Sequence, residues 1–160
     1  MANKVLMQEE TTKVWTASGG NYALTLSSVS AGAVRVGEQG DLGAVPRSRW
    51  YKWRYVNGSF GSAPTVGHTI DVYWAASDGM YTDGNVGASD AAGSTAALLN
   101  IKFLGSATVQ TTSTTDDIII SGIVELADRY GAPVIDNNTS VTITGGRFEL
   151  TPVPDEIQAA

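Results

Sequence analysis

Cysteine is absent from the 160 residues, which removes disulfides, thiolate metal centres and cysteine nucleophiles together. Stability in an exposed setting must then come from packing or from assembly. Charge is scarce as well: 16% of residues are Asp, Glu, Lys or Arg, against roughly 25% in typical soluble domains. A surface so poor in charge is either covered by neighbours or built from Ser, Thr, Gly and Asn. Long apolar runs are missing; blocks such as Ile118–Ile120 fall far short of the roughly 20 residues of a membrane helix. The opening ten residues, MANKVLMQEE, contain no apolar h-region of signal-peptide length. The expectation is a product made in the cytoplasm that stays soluble or assembles there. On that route the sequons at Asn57, Asn137 and Asn138 carry no weight. Excess positive charge is lacking too, since the net charge is -6, a repulsive field for phosphate that argues against nucleic-acid binding.

What is present is period-two alternation from end to end, with β-branched and aromatic residues between Gly, Asn and Asp punctuation. Strands are predicted over 13–17, 22–29, 33–36, 49–56, 68–76, 101–110, 117–126, 132–136 and 140–151. Ile70, Val72 and Trp74 fall on one face of their strand; Ile118, Ile120, Gly122, Val124 and Leu126 share a face of theirs. The segment from Ser77 to Thr95 is long and weakly patterned, the signature of a functional or mobile loop, with one helical turn expected within 91–99. About eight or nine antiparallel strands in a chain of this size predict an all-β sandwich or jelly roll. The single domain spans 13–151, flanked by an N-terminal arm over 1–12 and a C-terminal arm over 152–160. Pro152 and Pro154 are expected to stop the last strand.

Chemistry is hard to find. The one histidine, His68, stands at a strand entrance with no Gly-x-Ser-x-Gly elbow anywhere, and reads as a loop-edge residue packed near an aromatic ring. Glu125 and Glu149 lie out of phase with the apolar faces of their strands, and Glu9 and Glu10 belong to the arm, so no glycosidase pair stands out. Asp78, Asp83, Asn85 and Asp90 are hard oxygen donors, but they lack EF-hand spacing and read as turn residues. Glu38 and Asp41 beside the glycines at 37, 40 and 43 would repel a phosphate. The expectation is no enzyme, no cofactor and no metal.

One stretch is dense in both charge and rings. Segment 47–56, RSRWYKWRYV, holds four of the ten basic residues and two of the four tryptophans. Interleaved rings and cations suit a single-stranded nucleic-acid platform. As a strand, however, it puts Tyr51, Trp53 and Tyr55 on one side and Trp50, Lys52, Arg54 and Val56 on the other. The alternation thus separates rings from cations, which favours a core strand with a basic outer face. Asp71 on the following strand is expected to pair with Lys52 or Arg54. Asn57–Gly58 signals a bulge or strand end, with the connection near 61–67.

Segment 47–56 together with APTVGHTIDVYWAASDG, DGNVGASDA, LLNIKFLGS, ELADRYGAPVIDNNTS and the closing FELTPVPDEIQ resembles small structural proteins of tailed-bacteriophage virions. The likeness runs from about Arg47 to the end, and TPVPDEIQ is its most specific piece. The resemblance implies a jelly-roll head decoration (cement) protein. It would bind the outer surface of the capsid, clamp neighbouring copies of the major capsid protein, and associate with copies of itself, a homotrimer in the simplest case. No nucleic acid or membrane is among the implied partners. The implied interface residues are Arg47, Arg49, Trp50, Lys52 and Arg54 with Asp155, Glu156 and Ile157 of the arm. The alternative is a tail or baseplate protein that binds host glycan through Trp50 and Tyr81.

Overall fold

Alternation is converted almost directly into sheet. The structure, a computed structural model, describes residues 5–6, 11–45, 47–153 and 158–159. Its strands are β1 (Val5–Leu6), β2 (Lys13–Thr16), β3 (Tyr22–Ala23), β4 (Val34–Val36), β5 (Gly40–Asp41), β6 (Trp50–Phe60) and β7 (Thr69–Ser77). They continue with β8 (Ala91–Ala92), β9 (Lys102–Thr108), β10 (Ile118–Glu125), β11 (Tyr130–Asn138), β12 (Ile143–Val153) and β13 (Gln158–Ala159).

Two sheets face each other. The front sheet has the order β10-β6-β12-β2-β3, and the back sheet β8-β4-β11-β7-β9 with β5 also on β11. Pairing is antiparallel except between β2 and β3. Along the chain the eight principal strands visit front, back, front, back, back, front, back and front, which is the wrapping order of a jelly roll. The expected all-β sandwich is the fold of this chain.

The inward faces carry the rings. Tyr51, Trp53 and Tyr55 are buried as the alternation required, and so are Ile70, Val72 and Trp74 from the opposite sheet. Trp15 pairs across strands with Phe148 and meets Trp74 of the other sheet edge to face. Its indole nitrogen donates to the Glu38 carbonyl at 2.8 Å, so the buried ring leaves no polar atom stranded. Gly131 lets β11 approach this cluster, because a Cβ there would stand 2.5 Å from the Trp74 ring.

Several expectations are corrected. Residues 22–29 do not form one strand: β3 ends at Ala23, a turn falls at 27–28, and Leu24, Leu26 and Val29 enter the core from irregular chain. Hydrogen bonds from Leu24 to Thr16 and from Val29 to Ile143 satisfy that backbone without a regular ladder. β6 runs through Asn57–Gly58 to Phe60, and the irregularity appears as register shifts opposite Gly145 and Gly146, so the bulge is there and the strand end is not. Val56, assigned to the outer face, is buried. β12 continues through Pro152, which pairs with Tyr51. Proline is tolerated because the β2 ladder covers only Phe148 to Leu150, leaving that flank of residue 152 without a partner strand among the described residues.

Segment 78–101 is a cover for the back sheet. Val34, Val36, Ala75, Ala132 and Val134 form a second apolar cluster on the outer side of that sheet, with Val86, Leu98 and Ile101 packed over it. The helical turn lies at Ala97–Asn100 as a 3₁₀ turn, later than expected, and β8 takes the earlier residues.

Candidate interface at one end of the sandwich

The register places three connections at the same end: 42–49 before β6, 78–101 after β7 and 126–129 before β11. β2 starts there and β12 finishes there, since Lys13 pairs with Leu150 and Val153 with Trp50. Both terminal arms therefore leave from this end, and β1 pairs with β13, Val5 opposite Ala159 and Leu6 opposite Gln158.

Arg47, named as an interface residue, is engaged within the fold. Its guanidinium donates to the Leu126 carbonyl at 3.2 Å and to the Ala127 carbonyl, tying the start of β6 to the turn after β10. Ser48 is buried, accepts from Trp50 N and donates to the Val153 carbonyl, which fastens the end of β12 to the same corner. Arg49 pairs with Glu125 at 2.5 Å on the exposed surface. Residues 47–49 thus bracket three strand ends.

Beyond that bracket the outer face of β6 is open. Trp50 is 44% exposed between Glu125 and Val153, and Lys52 and Arg54 are exposed. Neither Lys52 nor Arg54 forms a salt bridge among the described residues. Arg54 stands opposite Glu149, whose carboxylate is taken by Arg147 at 2.6 Å. Ile123 lies beside Lys52 and Ile119 beside Val56, exposed by 68% and 57%. The expected cross-strand pair of Asp71 with Lys52 or Arg54 does not form, because β6 and β7 belong to different sheets. Asp71 instead accepts from Ser106 and Asn138.

The loops at the arm end add Val45, Met80, Tyr81 and Leu99, each at least 73% exposed. Among the described residues, the large exposed hydrophobics of the opposite-end loops reduce to Val66. Trp50 and Tyr81, the pair named for a glycan groove, are carried by a strand of the front sheet and by the loop after β7 of the back sheet. Asp155, Glu156 and Ile157 lie outside the described residues.

The other candidates have local employments. His68 is exposed just before β7, and its backbone bonds to Thr65 and Val109. Asp78 accepts from the backbone amides of Tyr81 and Met80, both at 2.8 Å, and these hold its carboxyl below the usual range. Burial pushes Asp90 up, but hydrogen bonds from Arg35 and Thr25 outweigh it and leave its pKa lowered. Asn85 has φ 53 and Gly84 φ 65, the left-handed conformations that Asn and Gly adopt in turns. Glu38 accepts from Ala23 N, and Asp41 is gripped by Arg129 through two bonds of 2.9 and 2.7 Å. No three His, Cys, Asp or Glu side chains converge among the described residues.

Two features were not anticipated from sequence. A cleft of about 710 Å³ opens between the edge strands β9 and β10, lined by Ser106, Thr108, Gln110, Asp116, Asp117 and Ile120 among others. On the outer face of the back sheet, Asp71 and Asp136 stand directly opposite each other. The alternation of β7 exposed the first of these, but nothing in the sequence paired it with the second.

No family model matches the chain, and no curated protein does. Solved structures give distant likenesses. A clostridial cysteine protease, Cwp84 after propeptide cleavage, matches 89% of this chain at 13% identity and TM-score 0.46, and the chain spans 40% of that protein's length. A family 35 carbohydrate binding module from an environmental isolate matches 100% of this chain and 90% of its own at 12% identity and TM-score 0.39. The CBM22-1-GH10 modules of Clostridium thermocellum xylanase 10B, complexed with xylohexaose, match 94% of this chain and 26% of their own at 12% identity and TM-score 0.37. Likenesses this remote bear on neither the ligand nor the partner of this chain.

Proposed function

We propose that this chain is a non-enzymatic assembly protein that docks through the arm end of its jelly roll, and that its setting is the head of a tailed bacteriophage. There it would act as a decoration protein on the outer capsid surface, binding the major capsid protein and further copies of itself. One observation carries the reading: Val45, Trp50, Met80, Tyr81 and Leu99 are exposed, and each is carried by the first residue of β6 or by a connection that meets the sheets at the end where β2 starts and β12 finishes. Apolar side chains gathered on one end of a charge-poor surface mark a surface made to be covered. Trp50 supplies the kind of flat amphipathic anchor on which interfaces concentrate their energy, with Lys52 and Arg54 as cations for an acidic partner. The resemblance to virion proteins, which runs from about Arg47 to the end, supplies the partner class.

The mechanism is passive. Apolar area is buried across subunit boundaries at roughly 25 cal/mol per Å², and repetition over a symmetric shell multiplies each modest contact. The test is to add purified protein to phage capsids stripped of it, and to follow co-sedimentation and the temperature of capsid rupture. Saturable binding that raises the rupture temperature, lost in a Trp50→Ala, Tyr81→Ala double variant, is the expected result. Tight binding to host polysaccharide with no binding to capsids would replace this reading by the glycan one.

A further inference from the structure

The geometry points to a calcium site on the outer face of the back sheet, formed by Asp71 and Asp136 with Asn138 and Ser106. Asp136 and Asp71 are register partners on β11 and β7, and Ser106 on β9 is the next partner in the same row. Like charges placed directly opposite in an antiparallel pair repel at short range. Among the described residues no Lys or Arg neutralises either of them.

Asp136 is only 6% exposed, and its Oδ1 is buried with no hydrogen-bond partner. A buried carboxylate oxygen without a donor is costly and rare, and such a group calls for a missing positive partner. The surrounding atoms are already oxygen-rich. Asn138 Nδ2 reaches Asp136 Oδ2 at 2.9 Å and Asp71 Oδ2 at 3.2 Å, and Ser106 Oγ donates to Asp71 Oδ1. The two ends of an amide occupy nearly the same space, so turning Asn138 over would present its carbonyl to the same centre. Two carboxylates, one amide oxygen and one hydroxyl form a hard, flexible set. With water completing the shell, that set suits calcium better than the smaller and geometrically stricter magnesium. A divalent cation would offset the like charges set opposite each other and partner the bare Oδ1 together. The site lies on the opposite sheet from Lys52 and Arg54 and does not depend on the proposed docking end.

The experiment is thermal unfolding of the full chain at neutral pH in millimolar calcium chloride against EDTA, with calorimetric titration of calcium alone. A ligand that binds only the folded state raises the melting temperature in proportion to its saturation. The expected result is a calcium-dependent rise that magnesium reproduces weakly. Asp71→Asn and Asp136→Asn should each lower calcium affinity at least about tenfold, the scale on which loss of a metal-site partner acts. Asp78→Asn, in the loop after β7, should leave the response intact. Ser106→Ala provides a milder change if an aspartate variant fails to fold, and should weaken binding without abolishing it. An unchanged melting temperature in calcium, or a full response in Asp71→Asn, overturns the inference. Loss of the response in Asp78→Asn overturns it as well, because the ion would then belong to the loop.

Discussion

Trp15 and Trp74 meet across the sandwich with ring centroids 5.7 Å apart and planes at 89°, one from each sheet. That edge-to-face pair, with Phe148 against both rings, joins the two layers at their centre. Gly131 holds the space it needs. Gly131→Ala should lower stability by about 1–3 kcal/mol through overpacking, and Trp74→Ala by about 3–5 kcal/mol through the cavity left behind. Urea unfolding followed by tryptophan fluorescence measures both.

Arg129 draws Asp41 down to about 2, against the opposing effect of desolvation. A carboxyl whose folded pKa lies below its unfolded value stabilises the fold above the unfolded value, 3.8 here, and that contribution fades as pH falls through about 2. Both side chains are more than a third exposed, so the pair contributes less than about 1 kcal/mol. Asp41→Asn should shave that amount at neutral pH and only a small part of it at pH 2, as denaturation midpoints at the two pH values will show.

Asp136 carries the opposite sign. Burial first, then Asp71, raises its carboxyl, so its neutral form is the one the fold favours. Its contribution is complete below the unfolded value and is lost as pH rises through the raised folded one. The Tyr73 phenol is raised too, by burial first and then by the two aspartates. In EDTA, Asp136→Asn should stabilise the protein at neutral pH by on the order of 1 kcal/mol and do little in acid. Melting curves across that range decide it.

Tyr55 is buried and donates its hydroxyl to Asn57 Oδ1 at 3.2 Å, and burial lifts its phenol far above the usual range. Tyr55→Phe should cost about 1–3 kcal/mol by stranding the buried amide oxygen. In the parent, an absorbance titration should show this tyrosine ionising only as the chain unfolds.

Arg47 and the pair Lys52 and Arg54 should separate structure from docking. Arg47→Ala removes donors from the Leu126 and Ala127 carbonyls and should destabilise by about 1–3 kcal/mol. Lys52→Ala and Arg54→Ala alter exposed side chains and should stay within about 0.5 kcal/mol of the parent. The same two changes should weaken capsid binding, read by sedimentation.

Legibility in the sequence followed the range of the forces involved. The period-two burial of Tyr51, Trp53 and Tyr55 is a local property of one strand, and it was readable in full. Which strands lie beside one another is not local. Asp71 was therefore assigned to Lys52 or Arg54, although the wrapping order sends β7 to the other sheet. Pro152 was read as a stop because its tolerance depends on where β2 ends, a fact of another strand. Leu24, Leu26 and Val29 looked like a strand because burial alone demands apolar residues, with or without a ladder. The structural task of Arg47 was not legible because its acceptors, the carbonyls of Leu126 and Ala127, are backbone atoms that no side-chain pattern announces.

The start of β2 and the finish of β12 at one end of the sandwich have a practical consequence for engineering. Under the proposed docking, an affinity tag or fluorescent fusion at either terminus would crowd the proposed surface. The connections at 61–68 and 109–117 emerge at the far end. Foreign peptides inserted there would point away from the end proposed to dock.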